Sequence, residues 1–328
     1  FLTGKNEGNG DAAIIRMKAF VTGGAGFIGS HITQELCARG AKVVILDNLS
    51  TGDEKNLAWA GNGDEVEFVK GDVRDTELIR KLTQGCEWVF HEAAQPSVPL
   101  SIEKPVETHE ENLNASLQML VAARDYGVKR FMFASSSAVY GDTENPVKQE
   151  TDGVCPISPY GLQKYAAECY GVMFHEFYGL EAVSFRYFNV FGPRQSFDSP
   201  YSGVIAKFCT LMMAGTAPKI FGDGKQSRDF VYVKNVVDAN ILAAEGEAAK
   251  VAGKVFNIGC GGSIDLLQLA AELNRLTDQS LEPIHCDERP GDIRFSEADI
   301  SAAREGLGYE PEVSFGDGLG KTLDFYRE

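Results

Sequence analysis

Short, nearly unbroken apolar runs recur through the first 190 residues, at 17–22 (MKAFVT), 42–46 (KVVIL), 66–70 (VEFVK), 87–91 (EWVFH), 130–134 (RFMFA) and 181–186 (EAVSFR). Longer stretches with helical spacing of apolar positions lie between them, among them 28–38, 75–83, 112–126 and 160–178. Strands without polar alternation need cover on both faces, so the pattern predicts an α/β fold with a parallel sheet between helical layers. Beyond residue 190 Gly, Pro and Ser become frequent (GPRQSFDSPYSG, FGDGKQ), broken by helices near 202–214 and 234–246. A strand at 254–258 (KVFNI), a helix near 264–276 and a short helical tail follow. The expected organisation is a sheet domain over 17–188 and a smaller lobe over 189–328. The two are interleaved, because a segment near 230–260 returns to the first. Residues 1–16 lack the charged-then-apolar order of a signal peptide and are read as an extension or flexible tail.

Composition narrows the partners. The chain has 328 residues, enough for a sizeable core, with 44% hydrophobic and 24% charged residues. Its net charge of −16 argues against nucleic acid and against anionic membrane, which both need clustered cations. The seven cysteines are scattered without a CxxC pair, so neither a metal site nor a disulfide framework is expected, and a reducing cytoplasm suits them. No apolar run approaches the ~18 residues that span a membrane.

Candidate chemistry begins where the first strand meets TGGAGFIGSH. Gly23, Gly26 and Gly29 lie at the mouth of a helix beginning near Phe27, where backbone N–H groups and the helix dipole receive a pyrophosphate. Asp47 ends the second strand, where a carboxylate binds the adenosine ribose hydroxyls and repels the extra phosphate of NADP. Asp72 and Val73, after the third strand, are expected to line the adenine edge. This half reads as a Rossmann-type NAD site.

The strand at 130–134 runs into SSSAVYG, putting hydroxyls at the carboxyl edge of the sheet. A nucleophilic serine would want a GxSxG turn, which is missing. Further on, SPYGLQK opens a helix: Ser158 caps it, Pro159 suits its first turn, and Tyr160 and Lys164 fall on one face. Alone, that pair reads as a surface tyrosine beside a solvated lysine.

TGGAGFIG, Asp47, GDV at 71–73, HEAA at 91–94, SSSAVYG, SPYGLQK and RYFNVFGPRQ occur in this order. Together they resemble the extended short-chain dehydrogenase/reductase family, and within it the nucleotide-sugar 4-epimerases, from Met17 to the C-terminus. The resemblance implies that Tyr160 is the acid/base, Lys164 its electrostatic partner and Ser136 the hydroxyl partner, with Ser137 the close alternative. A free phenol, with a pKa of about 10, is a poor base at neutral pH, and a nearby ammonium and positive nicotinamide favour phenolate. The resemblance also implies NAD contacts from Phe27, Ile28, Asn48, Ser50, Thr51, Gly52, Ala93, Ala94 and Phe188. The implied reaction oxidises the sugar at C4 and reduces it from the other face, leaving NAD unchanged.

For the UDP-sugar, the resemblance implies that Asn189 makes a phosphate-side contact and that Arg228 and Arg289 grip the diphosphate. Asp292 would take the uridine ribose, and Ser296 would stand beside the sugar's 2-substituent, where a small residue admits an N-acetyl group. Leu100 departs from the basic residue that related epimerases often carry there. The 4,6-dehydratases of the family show Thr-Asp-Glu where this chain has Ser136, Ser137 and Ala138, which argues against dehydration. A UDP-glucuronate 4-epimerase or decarboxylase, and a non-catalytic NAD-binding regulator, are the competing readings. The helices near 112–126 and 160–178 are the expected homodimer faces.

Overall fold

A computed structural model of the chain describes residues 17–61, 63–143, 145–196, 203–288 and 294–327. The first half alternates strand and helix: β1 (Lys18–Thr22), α1 (Phe27–Ala38), β2 (Lys42–Asp47), β3 (Val66–Lys70), α2 (Thr76–Thr83) and β4 (Trp88–His91). The short helices α3 (Val98–Glu103) and α4 (Pro105–His109) follow, then α5 (Ala115–Asp125), β5 (Arg130–Ser136), β6 (Val147–Lys148), α6 (Pro159–Tyr178) and β7 (Glu181–Tyr187). A single π-helical turn, Glu110–Asn114, joins α4 to α5, so the helix expected at 112–126 begins earlier, near Pro105.

The second half carries β8 (Asn189–Phe191), α7 (Val204–Met213), β9 (Lys219–Phe221), β10 (Ser227–Arg228), β11 (Phe230–Tyr232), α8 (Val233–Glu245), α9 (Ala248–Val251) and β12 (Lys254–Ile258). It ends with β13 (Ile264–Asp265), α10 (Leu266–Thr277), β14 (Ile284–Cys286), β15 (Phe295–Ala298), α11 (Ser301–Leu307) and α12 (Phe315–Arg327).

Seven strands form one parallel sheet in the order β12-β7-β5-β4-β1-β2-β3. The chain runs outward from β1 through β2 to β3, then crosses back to lay β4 on the other side of β1, with Thr22 opposite His91. That reversal opens a crevice at the carboxyl ends of β1 and β4. The reason the strands read as unbroken apolar runs is visible in the two cores. Ala19, Val21, Val43, Ile45 and Phe90 pack with Ile32 and Leu36 of α1 and Val237 and Ile241 of α8. Their neighbours Phe20, Val44, Leu46 and Val89 point the opposite way, to Ile79 of α2, Met119 of α5 and Phe174 of α6. Burying each such side chain contributes roughly 1.5–3 kcal/mol.

The remaining strands are two to four residues long. A four-stranded sheet, β13-β10-β15-β6, and the pairs β11-β8 and β14-β9 build the irregular lobe. In the larger of these sheets Arg228 of β10 lies directly beside Ser296 of β15. An aromatic cluster of Phe191, Phe230, Tyr232 and Phe315 fixes this lobe on α12, with Phe191 and Phe315 centroids 5.7 Å apart. Among the described residues no helix is long and apolar enough to cross a membrane, and no cluster of His, Cys, Asp and Glu suits a metal ion.

Candidate active site

A cleft of about 830 Å³ lies over the carboxyl ends of β1, β2, β4 and β5. Its wall includes Gly23, Gly26, Phe27, Ile28, Gly29, Asp47, Asn48, Ser50, Thr51, Gly52, Asp72, Val73, Ala93, Ala94, Ser136, Tyr160, Lys164 and Phe188, residues that the sequence assigned to cofactor and chemistry.

At one end the glycines are required by contact. Gly23 has φ +68°, and a Cβ there would stand 2.8 Å from the Ala93 nitrogen. A Cβ on Gly29 would stand 2.2 Å from the Gly23 carbonyl oxygen. The turn therefore lies flat against β4, and α1 starts at Gly26 without a side-chain cap. Its first N–H groups face a polar ligand rather than a serine or aspartate, which suits a pyrophosphate. Asp47, 8% exposed, accepts from Ala25 N–H at 3.0 Å and Leu49 N–H at 2.8 Å, locking the glycine turn to the end of β2. Burial raises its pKa and those backbone bonds oppose the rise. Asp72 is clasped by Arg74 (2.7 Å) and Asn48 (2.9 Å), which hold its carboxyl well below the usual range. The residues present fit NAD.

At the other end, α6 begins as the sequence predicted. Ser158 Oγ accepts from Gly161 N–H at 3.1 Å with Pro159 in the first turn. Gly161 has its own purpose: a Cβ there would stand 2.6 Å from the Ala138 carbonyl oxygen. Bare backbone lets the helix reach the short turn Ser137–Val139, and Tyr160 meets Ser136 there. Burial raises the Tyr160 pKa and the hydrogen bond with Ser136 opposes it. Lys164, 2% exposed, donates from Nζ to the Ala134 carbonyl at 2.7 Å. Burial lowers its pKa to about 8, opposed by the charge of Glu92. The lining takes in Ser135 and Ser136 but not Ser137. Ser135 is turned away, donating to Glu168 (2.9 Å), which is itself paired with Arg186 (2.7 Å) in the interior.

A polar relay ties this architecture together. Ser116 Oγ donates to the Asn112 carbonyl (2.6 Å), so it accepts from His91 Nε2–H (2.9 Å). His91 Nδ1 then accepts from the Thr22 hydroxyl (2.7 Å), which in turn accepts from Ala93 N–H (3.3 Å). His91 is neutral, its pKa lowered to about 3 by burial and by the Lys164 charge. Asn112, in the π-helical turn, also accepts from Gln95 N–H (2.7 Å) and donates to Gln163 Oε1 (2.8 Å), next to Lys164.

Sequence reasoning missed several members of the wall. Glu92 follows β4 and accepts from the Tyr187 hydroxyl at 3.1 Å, which accepts from Asn240 Nδ2 at 2.7 Å. Its clue was the acid inside HEAA. Arg194, in RYFNVFGPRQ, has φ +67° and reaches Ser30 and Gln34 of α1.

The substrate set is placed differently. Asn189 donates to the Asp229 carbonyl at 3.3 Å, and its neighbours Phe188 and Val190 line the cleft while it does not. Arg228 and Ser296 sit side by side on the smaller sheet, outside that lining. Arg228 Nη1 donates to the carbonyl of Ser227 at 2.8 Å. Asp229 turns inward to accept from Cys260 and Gly261 N–H (2.8 and 3.0 Å). Arg289 and Asp292 lie outside the described residues.

Residues 19–259 match the NAD dependent epimerase/dehydratase family. A UDP-glucose 4-epimerase of Mycolicibacterium smegmatis is 39% identical over 95% of this chain and 99% of its own length. Among solved structures, a UDP-N-acetylglucosamine 4-epimerase from Methanobrevibacter ruminantium, in complex with UDP-N-acetylmuramic acid, superposes with a TM-score of 0.90 at 40% identity. It covers 95% of this chain and 98% of that one. The UDP-glucose 4-epimerase of Thermotoga maritima with UDP-glucose gives 0.89 at 40% identity, covering 95% and 99%.

Proposed function

The chain belongs to the NAD dependent epimerase/dehydratase family, and from that premise we propose that it inverts C4 of a UDP-hexose through a transient 4-keto sugar. The substrates are UDP-glucose and UDP-galactose, together with UDP-N-acetylglucosamine and UDP-N-acetylgalactosamine. The observation that carries the reading is the convergence of Tyr160, Ser136 and Lys164 on the same cleft as the glycine turn.

NAD supplies an acceptor that takes hydride from a carbinol carbon and returns it. The rest falls to the chain. Tyr160 moves the proton at the sugar 4-hydroxyl. Ser136, hydrogen-bonded to the phenol, shares that proton's path and holds the hydroxyl in line. Burial alone keeps Tyr160 above an ordinary phenol, so the drop toward working pH rests on positive charge brought into the cleft. Lys164 contributes a fixed cation whose ammonium is steered by Ala134.

A neutral C6 suits the wall better than a uronate. Among the described residues the lining cations are Lys164 and Arg194. Lys164 is committed to Ala134, and Arg194 reaches toward α1. Leu100 and the acidic Glu92 complete that end, and neither welcomes a carboxylate. The lobe after residue 189, through Asn189, Arg228, Arg289, Asp292 and Ser296, holds the nucleoside diphosphate. Two copies associate through α5 and α6. Leu162, Met173 and Phe177 of α6 are exposed, Phe177 at 72%, and exposed apolar side chains on that helix support a second copy.

The test is to incubate the protein separately with UDP-galactose and UDP-N-acetylgalactosamine and resolve the products. The 4-epimer of at least one is expected. No epimer from either overturns the reading.

A further inference from the structure

We infer that Ser135 and Glu168 are positioning residues for proton transfer: the hydrogen bond between them fastens the end of β5 to α6, so that Ser136 and the Ala134 carbonyl stay where Tyr160 and Lys164 need them. The inference rests on the role proposed above for Tyr160.

The need for a fastening comes from the sheet. Strand β4 pairs with β5 only from Arg130 to Phe133, whereas β7 follows β5 as far as Ser136, which lies opposite Tyr187. Ala134, Ser135 and Ser136 therefore have a neighbouring strand on one side alone. Each of the three is instead tied to α6. Lys164 Nζ donates to the Ala134 carbonyl at 2.7 Å, the Ser135 hydroxyl donates to Glu168 Oε2 at 2.9 Å, and Ser136 bonds to the Tyr160 phenol. Tyr160, Lys164 and Glu168 are spaced by four, which puts them on one face of the helix. The first and last of these ties join groups of the reaction; the middle one joins groups outside it.

Glu168 is itself immobilised. Ser135, Glu168 and Arg186 are all buried, and Arg186 stands opposite Ser135 in the β5–β7 register. Its guanidinium clasps the carboxylate at both oxygens, Nη2 to Oε1 at 2.7 Å and Nε to Oε2 at 3.1 Å. The guanidinium in turn lies over the Tyr140 ring, 4.7 Å from its centroid. Ser135 thus donates to a fixed, charged oxygen, a stronger and shorter-ranged tie than a neutral acceptor would give.

Ser135→Ala removes one donor and leaves Glu168 paired with Arg186. Loosening the end of β5 weakens both the Ser136 bond and the approach of Lys164. Each of these favours the phenolate, so the Tyr160 pKa should rise. Tyrosinate absorbance of the NAD-loaded enzyme, minus that of the matching Tyr160→Phe variant, isolates the ionisation of Tyr160 and needs no sugar. In Ser135→Ala this titration is expected to move about half a unit toward higher pH, roughly a threefold change in proton concentration. Turnover at neutral pH should fall by a similar factor, with KM unchanged. Glu181→Gln controls for stability alone: at the other end of the same two strands it strips the buried Arg130 of its ion pair. It should lower the melting temperature without moving Tyr160. An unmoved Tyr160 titration in Ser135→Ala, or an equal shift in Glu181→Gln, overturns the inference. A shift confined to Ser135→Ala, in a protein that epimerises no UDP-hexose, upholds the inference and removes the substrate reading instead.

Discussion

Gly161 and Ala138 approach so closely that a Cβ on the glycine would fall 2.6 Å from the alanine's carbonyl oxygen. The contact sets how near the start of α6 comes to the end of β5, and therefore whether Tyr160 meets Ser136. Gly161→Ala must push the two elements apart by several tenths of an ångström. Turnover is expected to fall at least tenfold, ~1.4 kcal/mol in the barrier, with bound NAD retained. Measuring kcat beside the cofactor content checks it.

Tyr160→Phe keeps the backbone N–H that donates to Ser101 Oγ at 3.1 Å, so the helix start survives. Loss of the phenol should reduce kcat by roughly 10²–10⁴-fold, the range typical of a positioned acid/base, with an unchanged melting temperature. Near-normal turnover would take Tyr160 out of its assigned role.

Asp47 binds two backbone N–H groups, and Asn in its place would present an NH2 to one of them. Asp47→Asn should weaken NAD by about tenfold or more, as expected when a hydrogen bond to a charged group is lost. Without the carboxylate the preference for NAD over NADP should narrow. Titrating the cofactor-stripped protein with each dinucleotide measures both.

His91 is buried and neutral, its pKa lowered from 6.5 to about 3. Between those values the unfolded chain binds a proton that the folded chain refuses. The stability is thus fully present above the unfolded value and is lost as pH falls toward the folded one, at up to ~1.4 kcal/mol per pH unit. Urea midpoints across this range should fall on acidification, and more shallowly in His91→Gln. Equal slopes would show that His91 is protonated in the fold.

Ser296 lies beside Arg228 on the small sheet. If it borders the sugar's 2-substituent, Ser296→Tyr should suppress turnover of UDP-N-acetylgalactosamine at least tenfold more than that of UDP-galactose. Comparing kcat/KM for the two sugars decides it; equal losses would mean that Ser296 is not the gate.

What the sequence made legible was local. The alternation of strands with helices, the Ser158 cap and the Tyr160–Lys164 spacing each depend on residues a few positions apart. Even the glycine turn carries its partner signal, Asp47, within the next strand. The π-helical turn was hidden because its purpose lies elsewhere in the chain: Asn112 bonds Gln95 and Gln163. Glu92 was hidden for the same reason, since the Tyr187 hydroxyl reaches it only after the sheet forms. The strands of the second lobe, as short as two residues, have too little periodicity to read, and their pairing is imposed by neighbours.

The bond from Ala93 to Thr22 joins residues 71 positions apart. It seals the seam where Gly23 presses on Ala93, and that seam is also the floor of the dinucleotide cradle. The cradle therefore has no existence in a half-folded chain: β4 must return across β1 before there is anything to hold a pyrophosphate. Cofactor capture then doubles as a record of completed assembly, and a ligand that binds only the closed sheet draws the folding equilibrium after it.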